Sequence, residues 1–468
     1  MSKIRLYNTM TRQIEELRPV REGHIGIYCC GPTVYDYAHI GNLRKYAADD
    51  VLVRTLRHAG YEVTHVMNIT DVDDKIIRAA PGGIEAIRAY TKPFEEAFFE
   101  DIDTLRIQRP TIVCRATEHI NEMAEMVKRL VERGHAYESA GSYYFRIESF
   151  PDYGKLSRLD MSGIRPGARV DVDEYEKSDV RDFALWKAPK PNEPVWETVI
   201  GPGRPGWHIE CSAMSIKYLG PEFDIHTGGV DNIFPHHENE IAQARGAGYP
   251  FARHWVHHEH LIVEGKKMAK SLGNFYTLRD LLKRGADPLA IRYLYVSAHY
   301  RSQLNFTFAG LEQAKRTVDS LHNFLDRVED LLASGEPLGP GGTLGPRAET
   351  LREQFFQAMY NDLQTPQAVA RMHDLVSETN AAIQSGSASR EELEQVLAAM
   401  REFDQILAVL EHEREMLDEE IAALIAEREE ARRKKDYARA DEIREQLARQ
   451  GIILEDTPQG TRWRRASS

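Results

Sequence analysis

The sequence is poor in cysteine, has no long apolar run and carries no excess of positive charge. Its 468 residues include only four cysteines, Cys29, Cys30, Cys114 and Cys211. That is too few for a disulfide scaffold, so reduced or metal-bound thiols in a cytoplasmic protein are expected. No stretch approaches the roughly 18 consecutive apolar residues of a membrane helix, which argues against a membrane partner. The first residues, Met1-Ser2-Lys3-Ile4-Arg5, form no apolar signal region, so export is not expected. Against 60 basic residues stand 73 acidic ones, a net charge of −13. Such a chain is no generic nucleic-acid coat, and any contact with nucleic acid must come from local basic patches. Hydrophobic residues make up 42% of the chain, enough to build cores and to exclude disorder throughout. At roughly 150 residues per domain, the length suggests about three domains.

The first segment has the pattern of a βαβ unit. Ile25 to Cys30 is apolar, bounded by Gly23 and by Gly31-Pro32, and is expected to be a buried strand. A helix is expected from about Asn42, with Leu43, Ala47, Val51, Leu52 and Leu56 on helical spacing and a stop at Gly60. A second strand is expected over Glu62–Ile69. This order argues for a parallel doubly wound sheet, where ligands collect beyond the carboxyl ends of the strands. Residues near 120–204 differ: helical patterning around Glu118–Gly134, strand-like residues Tyr143–Ile147, then the proline-rich passage Lys187–Pro194. They are expected to be an insertion that splits the nucleotide-binding fold. Beyond Asn305 the pattern is helical, with an apolar stripe of Leu311, Ala314, Val318, Leu321, Leu325 and Val328. Gly335–Pro346 has eight glycines and prolines in twelve positions and is expected to be a loop, with helices resuming near Glu349 and around Arg390–Leu410. The charged Glu411–Arg449 segment ends in a small module over Gly451–Arg465.

Five groups of residues could carry chemistry. In Pro32–Asn42 a loop opens onto a helix N-terminus, a natural anion site where His39 and Asn42 can donate hydrogen bonds and Gly41 permits close approach. A plain helix cap is the alternative. Glu264–Asn274 holds three lysines between glycines, suited to a mobile loop closing over a polyphosphate, or to a solvated hairpin tip. Cys30, Cys211, His236 and Glu240 could form a four-ligand zinc site, His236 and Glu240 being one turn apart; equally, the cysteines could be small buried hydrophobes. In Phe223–Asp231, Gly228-Gly229 followed by Asp231 suits a nucleoside with its ribose on the carboxylate, or a strand-to-helix turn capped by Asp231. Last, Arg432–Tyr437 and Arg462–Arg465 mix cations with rings, as RNA-binding surfaces do. Between Glu427 and Gln450, however, seven acidic residues interleave with eight basic ones, which favours a solvated helix face.

Together these segments resemble the cysteinyl-tRNA synthetases, a family of class I aminoacyl-tRNA synthetases. The resemblance runs from Leu6-Tyr7-Asn8-Thr9 to Gly460–Arg465. His39-Ile40-Gly41-Asn42 stands where the family has its HIGH signature, and Lys267-Met268-Ala269-Lys270-Ser271 where it has KMSKS. Asn68–Lys75, Gly206–Met214 and Phe234–Glu240 match segments specific to the family. The resemblance implies an α/β fold in which a split Rossmann-type parallel sheet catalytic domain (1–120 and 205–255) carries an inserted connective domain (121–204). A stem-contact region with the KMSKS-like loop (256–310), a helical bundle (311–410) and a small C-terminal anticodon-binding module (411–468) would follow.

The resemblance also implies the site residues. One Zn2+ per chain would sit on Cys30, Cys211, His236 and Glu240. The amino-acid pocket would involve Gly31, Thr70 and Trp207. ATP, with Mg2+, would bind at His39, Gly41, Asn42, Gly229, Asp231, Lys267 and Lys270; of these, His39, Asn42, Lys267 and Lys270 would be catalytic. Contacts to tRNA(Cys) would come from Arg432, Tyr437, Asp441, Asp456 and Trp463. The partners implied are ATP, L-cysteine and tRNA(Cys), and the chain is expected to be a cytoplasmic monomer. Two departures stand out: Asn42 replaces the second histidine of HIGH, and Ala269 a serine of KMSKS. Two other readings are a cysteine ligase of mycothiol biosynthesis, with an amino-sugar acceptor, and a non-catalytic RNA-binding paralogue. The tail beyond about residue 410 argues against the first, and the complete set of lysines and candidate metal ligands against the second.

Overall fold

The computed structural model describes residues 2–159, 182–335, 337–412, 419–449, 452–457 and 460–465. Part of the expected insertion, residues 160–181, lies outside the described residues. The chain forms two compact units, Met1–Glu411 and His412–Ser468.

In the first unit a ribbon of β1 (Arg5–Asn8) and β2 (Gln13–Glu16) leads into β3 (His24–Cys29), then α1 (Ile40–His58) and β4 (Glu62–Ile69). After α2 (Asp74–Ala79) and α3 (Ile84–Thr104) comes β5 (Ile112–Arg115), then α4 (Ile120–Glu132). The strands β6 (Ala136–Ser139), β7 (Ser142–Phe145), β8 (Phe183–Lys187) and β9 (Arg204–Pro205) form a separate antiparallel sheet. The proline-rich passage follows β8 without regular structure, because proline can neither donate to a ladder nor continue a helix.

The chain then returns through α5 (Trp207–Leu219), β10 (Glu222–Gly229), α6 (Glu238–Gly246) and β11 (Phe251–His258). Among the described residues, five strands form the parallel sheet in the order β11-β10-β3-β4-β5. The antiparallel sheet thus separates two halves of one parallel sheet in the sequence. Strand order reverses between β3 and β10, which opens a crevice at their carboxyl ends.

Alternation along β3 assigns its residues to opposite faces. Ile25, Ile27 and Cys29 belong to the core that includes α1, whereas Tyr28 and Cys30 belong to the core that includes α5 and α6. Adjacent cysteines therefore lie on opposite faces of the sheet.

Beyond the sheet, β12 (Leu261–Val263), β13 (Lys266–Lys267), α7 (Leu278–Leu282), α8 (Pro288–Val296) and β14 (Leu304–Phe306) precede the helices. These are α9 (Phe308–Ala333), α10 (Leu344–Tyr360), α11 (Thr365–Gln384) and α12 (Arg390–Leu407). Two expectations need correction. The glycine- and proline-rich stretch is not loop to its end, since α10 starts at Leu344 with Pro346 in its first turn, where no N–H is lost. Glu392 Oε1 accepts from the Gly342 and Gly345 N–H groups at 3.0 and 3.2 Å and holds that start. In α9 the fully buried stripe runs through Phe324, with Leu325 only partly covered.

The second unit has α13 (Glu419–Arg433) and α14 (Tyr437–Arg449), followed by an antiparallel hairpin of β15 (Ile452–Thr457) and β16 (Gly460–Arg465). Its core is small: Ile421, Ile425, Ile443, Leu447, Ile452 and Leu454, with Leu424 and Trp463 packed against it.

Candidate active site and metal centre

His39 caps α1. Its Nδ1 accepts from the Gly41 and Asn42 N–H groups, both at 3.1 Å, and the Asn42 Oδ1 accepts the His39 N–H at 3.3 Å. This reciprocal capping box fixes the imidazole tautomer, with the proton on Nε2 as a donor. Burial lowers the His39 pKa to about 4, against the pull of Asp231, so the ring is neutral at physiological pH. Asn42 is exposed.

The lysine-bearing loop packs on this helix end. The Ile40 N–H donates to Tyr276 O at 3.0 Å, and Met268 Cε lies 3.3 Å from where a side chain at Gly41 would begin. Asn274 staples the loop, accepting from the Ala269 N–H at 2.9 Å and donating to Lys267 O at 3.2 Å. Lys270 Nζ lies 2.5 Å from Asp36 Oδ2 and 5.1 Å from the centre of the Phe275 ring. Asp36 holds the Lys270 ammonium in its charged form. Lys267 is exposed. The two motifs, more than 200 residues apart in the chain, thus meet at one helix N-terminus.

At the crevice, Gly31 follows β3 and Thr70 follows β4. A side chain on Gly31 would begin 1.5 Å from Asn68 O, so no other residue fits there. The Gly31 N–H donates to Asn68 Oδ1 at 2.8 Å, and Thr70 Oγ1 donates to the buried Glu210 at 3.0 Å. Burial pushes the Glu210 carboxyl well up. Trp207, at the start of α5, is 39% exposed and stacks on His236 with ring centres 4.2 Å apart. Gly229 ends β10, and a side chain there would begin 2.3 Å from Asp231 Oδ1, an exposed carboxylate. At Gly228 the space is filled by His237, whose Cε1 lies 2.5 Å from an added Cβ, so this glycine makes room for the protein's own imidazole.

Cys30, Cys211, His236 and Glu240 are buried, and their ligand atoms lie within 4.8 Å of one another. Cys30 Sγ is 4.0 Å from Cys211 Sγ and 3.9 Å from Glu240 Oε1, and His236 Nε2 is 3.1 Å from that oxygen. Donors tetrahedrally arranged about zinc lie roughly 3.3–3.8 Å apart, so this set has the chemistry and nearly the spacing for that ion. His236 Nδ1 meets His208 Nδ1 at 2.9 Å, a contact that orients the ring.

A second set, Cys30, His226, His237 and Glu240, shares two of these donors. His237 Nε2 is 3.2 Å from Cys30 Sγ, and His226 Nε2 is 2.8 Å from Glu240 Oε2. Sequence reasoning missed His208, His226, His237 and Glu210, although His226 stands two residues before Gly228 on the same strand face. Burial pushes the Cys30 thiol and the Glu240 carboxyl well up and the His236 and His237 imidazoles well down. Burial thus favours the neutral form of each of these four groups, a preference that a bound dication opposes for the thiol and the carboxyl.

Arg432, Tyr437, Asp441, Asp456 and Trp463 lie in the second unit. Arg432, Tyr437 and Asp441 are exposed, while Trp463 is half-buried against the unit's core. Asp456 lies in β15, and its side chain is outside the described residues. Nearby Arg433 and Lys434 pair with Glu430 at 2.7 and 3.3 Å, as expected of a salt-bridged face.

Residues 16–316 match the family described as "tRNA synthetases class I (C) catalytic domain", and residues 354–411 a "DALR domain". The parallel sheet, the capped His39 motif and the lysine loop seated on it are, with that match, those of a class I aminoacyl-tRNA synthetase. In fold the chain is similar to "Mycobacterium tuberculosis methionyl-tRNA synthetase in complex with methionyl-adenylate", with a TM-score of 0.58 at 14% identity over 83% of this chain and 90% of that one. Residues 414–464 match "Cysteinyl-tRNA ligase anticodon binding domain". The chain is 50% identical over 468 residues to the cysteine–tRNA ligase of Solibacter usitatus (strain Ellin6076), covering 99% of both. It is 47% identical over 497 residues to that of Koribacter versatilis (strain Ellin345), again covering 99% of both. The chain belongs to the cysteine–tRNA ligase family.

Proposed function

We propose that the chain joins L-cysteine to tRNA(Cys) through a cysteinyl adenylate, selecting cysteine by its sulfur. The observation that carries this reading is the convergence of two thiols, an imidazole and a carboxylate beside Thr70 and Trp207. Cys30, Cys211, His236 and Glu240 would hold one Zn2+, which supplies a soft Lewis acid for the substrate thiolate. Serine differs from cysteine by one chalcogen atom, and an organic pocket separates such near-isosteres only weakly. A thiolate-rich set of donors rejects the hydroxyl at binding.

The remaining residues align and neutralise. Gly31 and Thr70 shape the floor of the amino-acid pocket and Trp207 its wall. The cysteine carboxylate attacks the α-phosphorus of ATP in line; the bond to pyrophosphate breaks, and pyrophosphate leaves with the electron pair. His39 Nε2–H, the Asn42 amide, Lys267 and Lys270 donate to phosphate oxygens, and Mg2+ accompanies ATP. Gly41 leaves room for the nucleotide, while Gly229 and Asp231 serve its ribose. The 2′-OH of the terminal adenosine of the tRNA then attacks the activated carbonyl, and AMP leaves. No protein nucleophile is required.

The domain assignment belongs to the same proposal: 1–120 and 205–255 catalytic, 121–204 connective, 256–310 contacting the tRNA stem, 311–410 a helical bundle and 411–468 reading the anticodon through Arg432, Tyr437, Asp441, Asp456 and Trp463. The family match over residues 414–464 weighs against an amino-sugar acceptor. No helix among the described residues is long and apolar enough to cross a membrane. Action as a cytoplasmic monomer is part of the same proposal. The test is cysteine-dependent exchange of pyrophosphate into ATP, with serine as control and with metal removed and restored. Exchange that proceeds equally with serine, or survives metal removal unchanged, defeats the selection mechanism.

A further inference from the structure

Lys45, a lysine with only 12% of its side chain exposed, takes no part in the proposed reaction. It lies on the inward face of α1, one turn before Asp49, and its Nζ is 3.4 Å from Asp49 Oδ2. Nζ also donates to Cys29 Sγ at 2.9 Å and to the backbone carbonyl of Cys30. Asp49 is buried as well; His258 Nε2 lies 2.7 Å from its Oδ1, and Cys29 Sγ donates to its Oδ2 at 3.0 Å. Burying a lysine and an aspartate is costly, and replacing such a pair by apolar residues is often neutral or stabilising. Stability alone is thus a weak reason for this arrangement.

What the group holds is specific. Cys29 and Cys30 lie on opposite faces of the sheet at the end of β3, where the ladder stops and the chain turns at Gly31. Cys30 N donates to Thr227 O at 3.3 Å, and the Cys30 carbonyl oxygen accepts from Lys45. The backbone of Cys30 is therefore held on both sides of its side chain, on one of them by an ammonium reaching round from the α1 face. Sγ of Cys30 is common to both donor sets described above.

We infer that Lys45 is a positioning residue for the metal-binding thiol of Cys30, clamping its carbonyl from the opposite face of the sheet so that Sγ keeps its place among the donors. Asp49, itself held by His258, in turn pairs with Lys45. This inference rests on the zinc reading of Cys30, Cys211, His236 and Glu240.

The test uses the full chain and its Lys45→Met, Lys45→Gln and Lys45→Arg variants. A Lys45→Met/Asp49→Asn double variant leaves no buried carboxylate unpaired and guards against simple misfolding. Zn2+ affinity is measured by competition with a chromophoric chelator, and the Co2+-loaded proteins are followed by visible absorption as L-cysteine is added. Loss of an outer partner of a metal ligand typically costs about 10- to 100-fold in metal affinity. A loss of that size is expected for Lys45→Met and for the double variant, with an altered Co2+ spectrum and a raised KM for cysteine but not for ATP. Lys45→Gln, which can still donate to the carbonyl, should fall between, and Lys45→Arg should recover most of the affinity. A double variant that binds Zn2+ as tightly as the parent and gives the same Co2+ spectrum overturns the positioning role alone. A parent chain that binds no Zn2+ overturns the zinc reading, and this inference with it.

Discussion

His39 offers a test in which stability and chemistry separate. Its Nδ1 caps α1 through two bonds of 3.1 Å, which puts the proton on Nε2, the donor to a phosphate oxygen in the proposed scheme. Asparagine ranks among the best N-caps, so His39→Asn should cost the helix less than about 1 kcal/mol while removing that donor. Removing one preorganised donor to a developing oxyanion costs about 10²- to 10³-fold in rate, and a loss of that order is expected in single-turnover adenylate formation. The pH dependence follows from the His39 pKa of about 4, set by burial. At neutral pH only about one ring in a thousand is charged, so the ring works as a neutral donor. Taking the ratio of parent to variant rates cancels the titrations of ATP and cysteine, and this ratio should be flat between about pH 6 and pH 9. For stability, the unfolded chain takes up the proton first. The His39 contribution is therefore complete above about pH 6.5 and is lost as pH falls through about 4. A rate ratio that drops about tenfold per pH unit above pH 7 would mean a working imidazolium and would refute this reasoning. So would a variant that forms adenylate at the parent rate.

Other consequences are more direct. In the proposed scheme Lys270 donates to phosphate oxygens, so Lys270→Ala should slow adenylate formation far more than it weakens cysteine binding; equal effects on both would contradict its role. Arg292 is fully buried, 2.6 Å from Asp50 Oδ2, and donates to the carbonyls of Leu105, Arg106 and Leu407. Arg292→Met should therefore lower stability by about 3 kcal/mol, the low end for a broken buried pair, since Arg54 still partners Asp50 at 2.8 Å. The shift in urea midpoint measures this, and a shift too small to detect would mean that Arg292 is dispensable. Gly31→Ala should cost about 3 kcal/mol or more, because its Cβ would strike the Asn68 carbonyl. A stable, active Gly31→Ala enzyme would show that the β3 end is far more pliable than its packing implies.

Local signals in the sequence set β3, α1 and β4 nearly to the residue. Apolar spacing and the punctuating Gly23 and Gly60 act over a few positions, as helix and strand formation do. The split of the parallel sheet was also legible, because proline-rich and mixed segments interrupt the motif-dense ones. The start of α10 was not, since a helix's first turn tolerates Gly345 and Pro346 as readily as a loop does.

The candidate metal ligands had family-like neighbours in the sequence. Their approach to within 4.8 Å is a tertiary fact, made where β3, α5 and α6 meet, and no local pattern encodes it. For the same reason His226 and His237 went unread: one lies in a strand read for its glycines, the other beside a residue already given a role. Lys45 looks like any helix-surface lysine until the fold turns it onto the sheet.

In the proposed mechanism a protein-bound zinc ion reads the sulfur of the substrate. X-ray absorption at the zinc edge of the full-length protein, alone and with L-cysteine or L-serine, tests it most directly. Zinc bound by two sulfurs with nitrogen and oxygen is expected, with a third sulfur when cysteine is added and no change with serine. A zinc environment that is indifferent to cysteine, or a chain purified without bound metal that still activates cysteine over serine, would contradict it.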